Sequence, residues 1–147
     1  MAADCLFCKI AAGAIPSAQL YDDASAFAFL DITPLAPGHA LVIPKKHAVT
    51  FEDLSSGDAA ALFAAVHRVG AALAAATGTK GSTIAINNGK EAGQEVPHVH
   101  VHVVPRQAGD GHGPIHGLFG GGKPADKAAL QALAEKVRKS LTAKARA

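Results

Sequence analysis

Three histidines alternate with three valines in His98-Val99-His100-Val101-His102-Val103. Side chains of an extended strand alternate between faces, so the imidazoles share one face and the valines the other. Neighbouring imidazoles then stand about 6.5–7 Å apart. The valine face belongs to a core. The histidine face has three readings: a wetted surface, a set of metal ligands, or a reaction centre. Histidine is an unusual choice for a wetted face, where Thr, Lys or Glu would serve. Imidazole suits a reaction centre, because its ordinary pKa of about 6.5 leaves it mostly unprotonated at neutral pH. One ring nitrogen can attack phosphorus while the other donates to a carbonyl and fixes the tautomer.

The two cysteines form a second feature, Cys5-Leu6-Phe7-Cys8. A redox pair would sit in a βαβ context, which the pattern lacks. A closed tetrahedral zinc site needs two further ligands. The plainest alternative is two small buried thiols.

Several elements must position these groups. Gln19–Asp22 and Ala26–Leu30 read as short strands around a turn, and His39–Ile43 as a third. Ser55 and Asp58 mark a helix start. Leu62, Phe63, Val66, Val69 and Leu73 follow helical spacing, and Gly78 is a natural stop. Thr83–Asn87 and His98–Val104 read as further strands. Gly109–Gly122 is a glycine-rich loop. Pro124 precedes a last helix over about 125–143, with Leu130, Leu133, Val137 and Leu141 on one face. The expected class is α+β: an antiparallel sheet of about five strands, one long helix, a short N-terminal helix and a C-terminal helix. One domain over 1–147 is expected, with its core over 5–106.

Composition narrows the partners. Among 147 residues, 14 Lys and Arg against 12 Asp and Glu leave a net charge of +2. No basic cluster marks a nucleic-acid footprint; the C-terminal KVRKSLTAKAR reads as a solvated helix end. No apolar run is expected to reach the roughly 20 residues of a membrane span. The first ten residues do not read as a signal peptide, so a cytoplasmic location is expected.

His98–Val104 is similar to the motif of the histidine triad (HIT) family, His-φ-His-φ-His-φ-φ with φ apolar. The flanks Asn87–Gln94 and Pro105-Arg106, and the block Phe29–His47, resemble that family as well. The resemblance covers roughly Cys5 to Arg106. It implies a HIT-like fold and an enzyme that hydrolyses purine nucleotide conjugates at the α-phosphate. His100 would be the nucleophile that forms a nucleotidyl-histidine intermediate. His102 would serve the phosphate and leaving group, and His39 would orient groups beside them. Asn87, Gly93 and Gln94 would contact the phosphate and ribose side. Asp31 would accept the ribose hydroxyls; read alone, it is a turn cap beside Thr33. Leu6, Phe7, Ile10, Ile15, Phe29, Leu30 and Ile32 would sandwich the base; read singly, they are core. Glu95 departs from the Ser or Thr that often stands there.

The same resemblance pairs Cys5 and Cys8 with His47 and His98 around a structural zinc, with no organic cofactor. It also implies a homodimer joined through its sheets. Phosphoramidates and dinucleoside polyphosphates compete as substrates. Two other classes remain open: a nucleotide-binding module with little turnover, and a hydrolase with a catalytic zinc. His67, His112 and His116 carry no assignment.

Overall fold

A computed structural model describes residues 4–119 and 124–144. Residues 120–122 of the expected loop lie outside the described residues, as do the side chains of His116 and Leu141. The first unit, residues 1–110, and the second, residues 111–147, are separate. The first holds helix α1 (Leu6–Ala11) and strands β1 (Gln19–Asp22), β2 (Ala26–Leu30) and β3 (Ala40–Pro44). Helix α2 (Ser56–Thr77) and strands β4 (Gly81–Ala85) and β5 (Val101–Arg106) follow. The five strands form one antiparallel sheet in the order β1-β2-β3-β5-β4. The class is α+β, as the spacing predicts.

Strand alternation sorts the apolar residues onto the two faces of the sheet. On one face, Ala26, Ala28, Ala40, Val42, Val99, Val101 and Val103 pack with Leu62, Ala65, Val66, Val69 and Leu73 of α2. On the other, Phe27, Phe29, Leu41 and Ile43 pack with Cys5, Phe7, Cys8 and Ile10. The valines of the alternating segment therefore face α2, and its histidines face the side that α1 covers.

Helix α2 starts where Ser55 Oγ accepts from the Asp58 amide at 3.1 Å and stops at left-handed Gly78, φ 66°. It also corrects an expectation. Its 22 residues are long and apolar enough, by length and composition, to cross a membrane. Alanine supplies much of that apolarity; Leu62, Val66, Val69 and Leu73 are buried on the sheet, while Phe63, expected on the same face, is 44% exposed.

Three boundaries shift. His39 lies just before β3. Strand β4 begins and ends two residues earlier than expected. Strand β5 starts at Val101, because His98 N–H bonds Val96 C=O at 2.8 Å in a bend after Pro97. It continues through Pro105, beyond the last residue paired with β3, where a missing donor is tolerated.

In the second unit, Ile115–Phe119 form a 3-10 turn and Lys127–Lys144 form helix α3. Leu130, Leu133 and Val137 on one face of α3 are exposed.

Candidate active site and metal cluster

His100 lies buried just ahead of β5. Its Nδ1 is 2.7 Å from the carbonyl oxygen of His98. A carbonyl only accepts, so Nδ1 carries a proton, and in the neutral ring Nε2 keeps its lone pair. The ring of Phe7 packs edge-on against the imidazole, with centroids 5.2 Å apart. His102 follows, its ring centroid 5.0 Å from that of His100.

The tautomers of His39 and His102 follow from one backbone donor. The Leu35 amide donates to Nδ1 of His39 at 3.2 Å. In the neutral ring the proton must then be on Nε2, which donates to Nδ1 of His102 at 3.0 Å. His102 thus holds its own proton on Nε2. That nitrogen is buried and has no hydrogen-bond partner among the described residues. A buried donor with no acceptor is costly, and it marks where a ligand oxygen or nitrogen belongs. Burial keeps both rings neutral. It pushes His102 down to about 4, helped by repulsion from His100 and His39 and opposed by Asp31. Burial also lowers His39, again against Asp31.

The loop 31–39 holds this arrangement. Asp31 Oδ1 accepts from the Thr33 amide at 2.8 Å, the turn cap that the residue suggests when read alone, and its ribose role stays a proposal. Its Oδ2 lies 3.6 Å from Nδ1 of His39. Gly38 closes the loop at φ +86°, where a Cβ would meet Thr77 Cγ2 at 2.9 Å and Pro105 Cγ at 3.2 Å. Only glycine meets both demands.

Cys5, Cys8, His47 and His98 come together, their ligand atoms all within 4.8 Å of one another. His98 Nε2 donates to the Pro44 carbonyl at 2.9 Å, which leaves Nδ1 with a lone pair. That nitrogen stands 3.3 Å from Cys5 Sγ, 3.6 Å from Cys8 Sγ and 3.3 Å from His47 Nδ1. Cys8 Sγ and His47 Nδ1 are 3.5 Å apart. A tetrahedral zinc, about 2.3 Å from sulfur and about 2.0–2.1 Å from nitrogen, spaces its ligand atoms roughly 3.3–3.8 Å apart. The four residues therefore fit a closed structural site. The Pro44 carbonyl is the outer partner that orients a ligating histidine.

The remaining expected residues divide. Phe7, Ile10 and Phe29 are buried in one cluster with Ile15 against it, while Leu6 is 44% exposed. Leu30 packs on the opposite face, with the α2 cluster, because it is one strand position from Phe29. Ile32 is 96% exposed. The structure does not bring Leu30 and Ile32 together with the rest.

Gln94 braces its loop. Its Oε1 accepts from the Gly89 amide at 2.8 Å, and its Nε2 donates to the carbonyls of Val49 at 2.7 Å and Val96 at 3.0 Å. Gly93 is left-handed at φ 83°, while Asn87 and Glu95 are exposed. The neighbouring Asn88, part of the Asn87–Gln94 block but given no role of its own there, ties the loop to the Phe51 amide at 2.7 Å and to Glu52 at 2.7 Å. The Leu35 amide and the Pro44 carbonyl were also missed. Both are backbone groups, for which residue type gives no signal.

Residues 12–109 match the HIT domain family, and the chain belongs to that family. It is 43% identical over 102 residues to a Schizosaccharomyces pombe protein named adenosine 5′-monophosphoramidase hnt1, covering 69% of this chain and 74% of that one. A crystal structure from Streptococcus mutans UA159 aligns with TM-score 0.88 at 42% identity, covering 96% of this chain and 87% of its own. A zinc-bound histidine triad protein from Mycobacterium smegmatis aligns with TM-score 0.70 at 41% identity, covering 74% and 78%.

Proposed function

We propose that this chain is a nucleotide hydrolase that cleaves purine nucleotide conjugates at the α-phosphate and releases a nucleoside monophosphate. The observation that carries this reading is the pairing of opposite tautomers. His100 presents a bare Nε2 beside a His102 that presents Nε2–H. One is a nucleophile and the other a donor, as a two-step displacement requires.

His100 Nε2 attacks phosphorus while its Nδ1–H stays on the His98 carbonyl. His102 Nε2–H serves the departing atom. Water then attacks the nucleotidyl-histidine from the position the leaving group held. Positioning and charge neutralisation do most of the work in such transfers. The nucleoside is placed by Asp31 at the ribose and by the apolar set Phe7, Ile10, Ile15 and Phe29 at the base. Gly93 and the loop braced by Gln94 face the phosphate side. The named activity of the fission yeast relative favours a phosphoramidate over a dinucleoside polyphosphate.

Zinc on Cys5, Cys8, His47 and His98 is part of the proposal. It would tie α1 to the segment 98–100 that leads into β5 and carries His100, and would supply no chemistry of its own. Thiols in such a cluster must stay reduced, which agrees with a cytoplasmic location. A homodimer joined through sheet edges is also proposed; β4 is an edge strand with Ile84 exposed. A monomeric mass in solution would contradict it.

The test is turnover of a panel of AMP conjugates, read as released AMP. Hydrolysis of adenosine 5′-monophosphoramidate supports the reading; no turnover of any conjugate rejects it in favour of a binding module.

A further inference from the structure

We propose that Asp31, His39 and His102 form a proton wire, in which His39 Nδ1 takes up a solvent proton beside Asp31, whose carboxylate then accepts the new N–H, as His39 Nε2 passes its proton to His102 Nδ1 and His102 gives its own Nε2 proton to the leaving group. This rests on the hydrolase reading above and assigns Asp31 a role beyond the ribose.

The contact between Asp31 and His39 is idle in the resting state. Nδ1 of His39 accepts from the Leu35 amide at 3.2 Å, so its lone pair lies beside a carboxylate oxygen 3.6 Å away. Two acceptors face each other and nothing is donated between them. The contact becomes a hydrogen bond only when Nδ1 carries a proton.

The chemistry calls for that second state. A neutral imidazole cannot surrender its Nε2 proton without gaining one at Nδ1. The nearest proton is on His39 Nε2, 3.0 Å away. His39 must in turn gain a proton at Nδ1, and water reaches it at Asp31, whose side chain is 20% exposed. One proton enters at His39 Nδ1 and one leaves from His102 Nε2. The bond from phosphorus to the leaving atom breaks, and its electron pair takes the departing proton. Both rings end in the other tautomer, with the charge of the wire unchanged.

Hydrolysis resets it. His102 Nε2 is then bare and takes a proton from the attacking water, and His39 Nδ1 returns its proton past Asp31. The Leu35 amide favours the first tautomer and Asp31 the second. The groups facing His39 are Asp31 and His102; those facing His102 are His39, His100 and, at longer range, Asp31.

The three ligand atoms also lie within 4.8 Å of one another, as metal ligands would. A shared proton accounts for them better. The two ring nitrogens are 3.0 Å apart, and the remaining lone pair of His39 already has an N–H on it.

The test is Asp31→Asn, which can still cap the Thr33 turn. Three substrates are compared: adenosine 5′-monophosphoramidate, its 2′,3′-dideoxy analogue, and a nitrophenyl ester of AMP whose leaving group needs no proton. We expect kcat for the phosphoramidate to fall roughly 10- to 100-fold. The fall persists with the dideoxy sugar and is much smaller with the nitrophenyl ester. The solvent deuterium isotope effect on wild-type kcat shrinks in the variant. A loss confined to KM, or one that vanishes with the dideoxy sugar, leaves Asp31 as a ribose ligand and overturns the wire alone. Failure of the wild type to turn over any conjugate overturns the hydrolase reading, and the wire with it.

Discussion

The carbonyl oxygen of His98 accepts the Nδ1 proton of His100 at 2.7 Å, while the ring of the same His98 points Nδ1 into the cysteine cluster. One residue thus touches both the Cys5, Cys8, His47 cluster and the proposed nucleophile His100. Its backbone sets the tautomer of His100, and its side chain is held by the Pro44 carbonyl and the thiols.

His100→Ala removes the nitrogen proposed to attack phosphorus. Turnover of adenosine 5′-monophosphoramidate is expected to fall by at least about 10³-fold, since both steps run through that atom. AMP affinity, measured by calorimetry, is expected to stay within a few-fold of wild type. Undiminished turnover would sink the mechanism.

Removal of the proposed zinc is expected to act on stability before chemistry. At a free ion concentration of a hundred times its Kd, the metal contributes about 2.7 kcal/mol, or roughly 5–10 °C in Tm. A chelator titration followed by calorimetry checks the shift. Turnover per folded molecule should survive. If turnover vanished at a temperature where the protein remained folded, the zinc would be catalytic.

Gly38→Ala puts a Cβ 2.9 Å from Thr77 Cγ2 at a positive φ, next to His39. The expected cost is about 1–3 kcal/mol, read as a lowered urea midpoint at unchanged m-value. Gly93→Ala is the comparison. It has a similar φ but nothing within 4 Å of the new Cβ, so its smaller cost isolates strain from collision.

Acid is expected to destabilise the fold through His39 and His102. Both have folded-state pKa values below the unfolded value of about 6.5, with His102 down to about 4. The unfolded chain therefore binds more protons between those values, and stability rises with pH there. The contribution is fully present above about pH 6.5 and is lost as pH falls towards about 4. Urea midpoints across this window check it. His102→Asn should flatten the slope; an unchanged slope would place the titration elsewhere.

Much of this was legible in residue order. The alternation at 98–103 put valines on a core face and histidines on the other, and this holds although only Val101 onward is strand; that α2 covers the valine face is a tertiary outcome. Ser55 and Gly78 marked the ends of α2 through capping chemistry. Cys5, Cys8, His47 and His98 were gathered by resemblance to the family, since spacing alone could not bring residues 5 and 98 together. Other features escaped. The start of β5 depends on how Val96–His98 bend around Pro97, which is a tertiary outcome. Leu30 was grouped with Phe29, although neighbours on one strand face opposite ways. The tautomers of His39 and His102 rest on the Leu35 amide, and every residue type but proline has one.

The most direct measurement of the central claim is intact-mass analysis of the protein quenched within the first turnover of adenosine 5′-monophosphoramidate, with the modified peptide mapped. The prediction is a transient increment of one adenylyl group on His100, absent from His100→Ala. Full turnover with no adduct at any quench time, or an adduct on another residue, would contradict it.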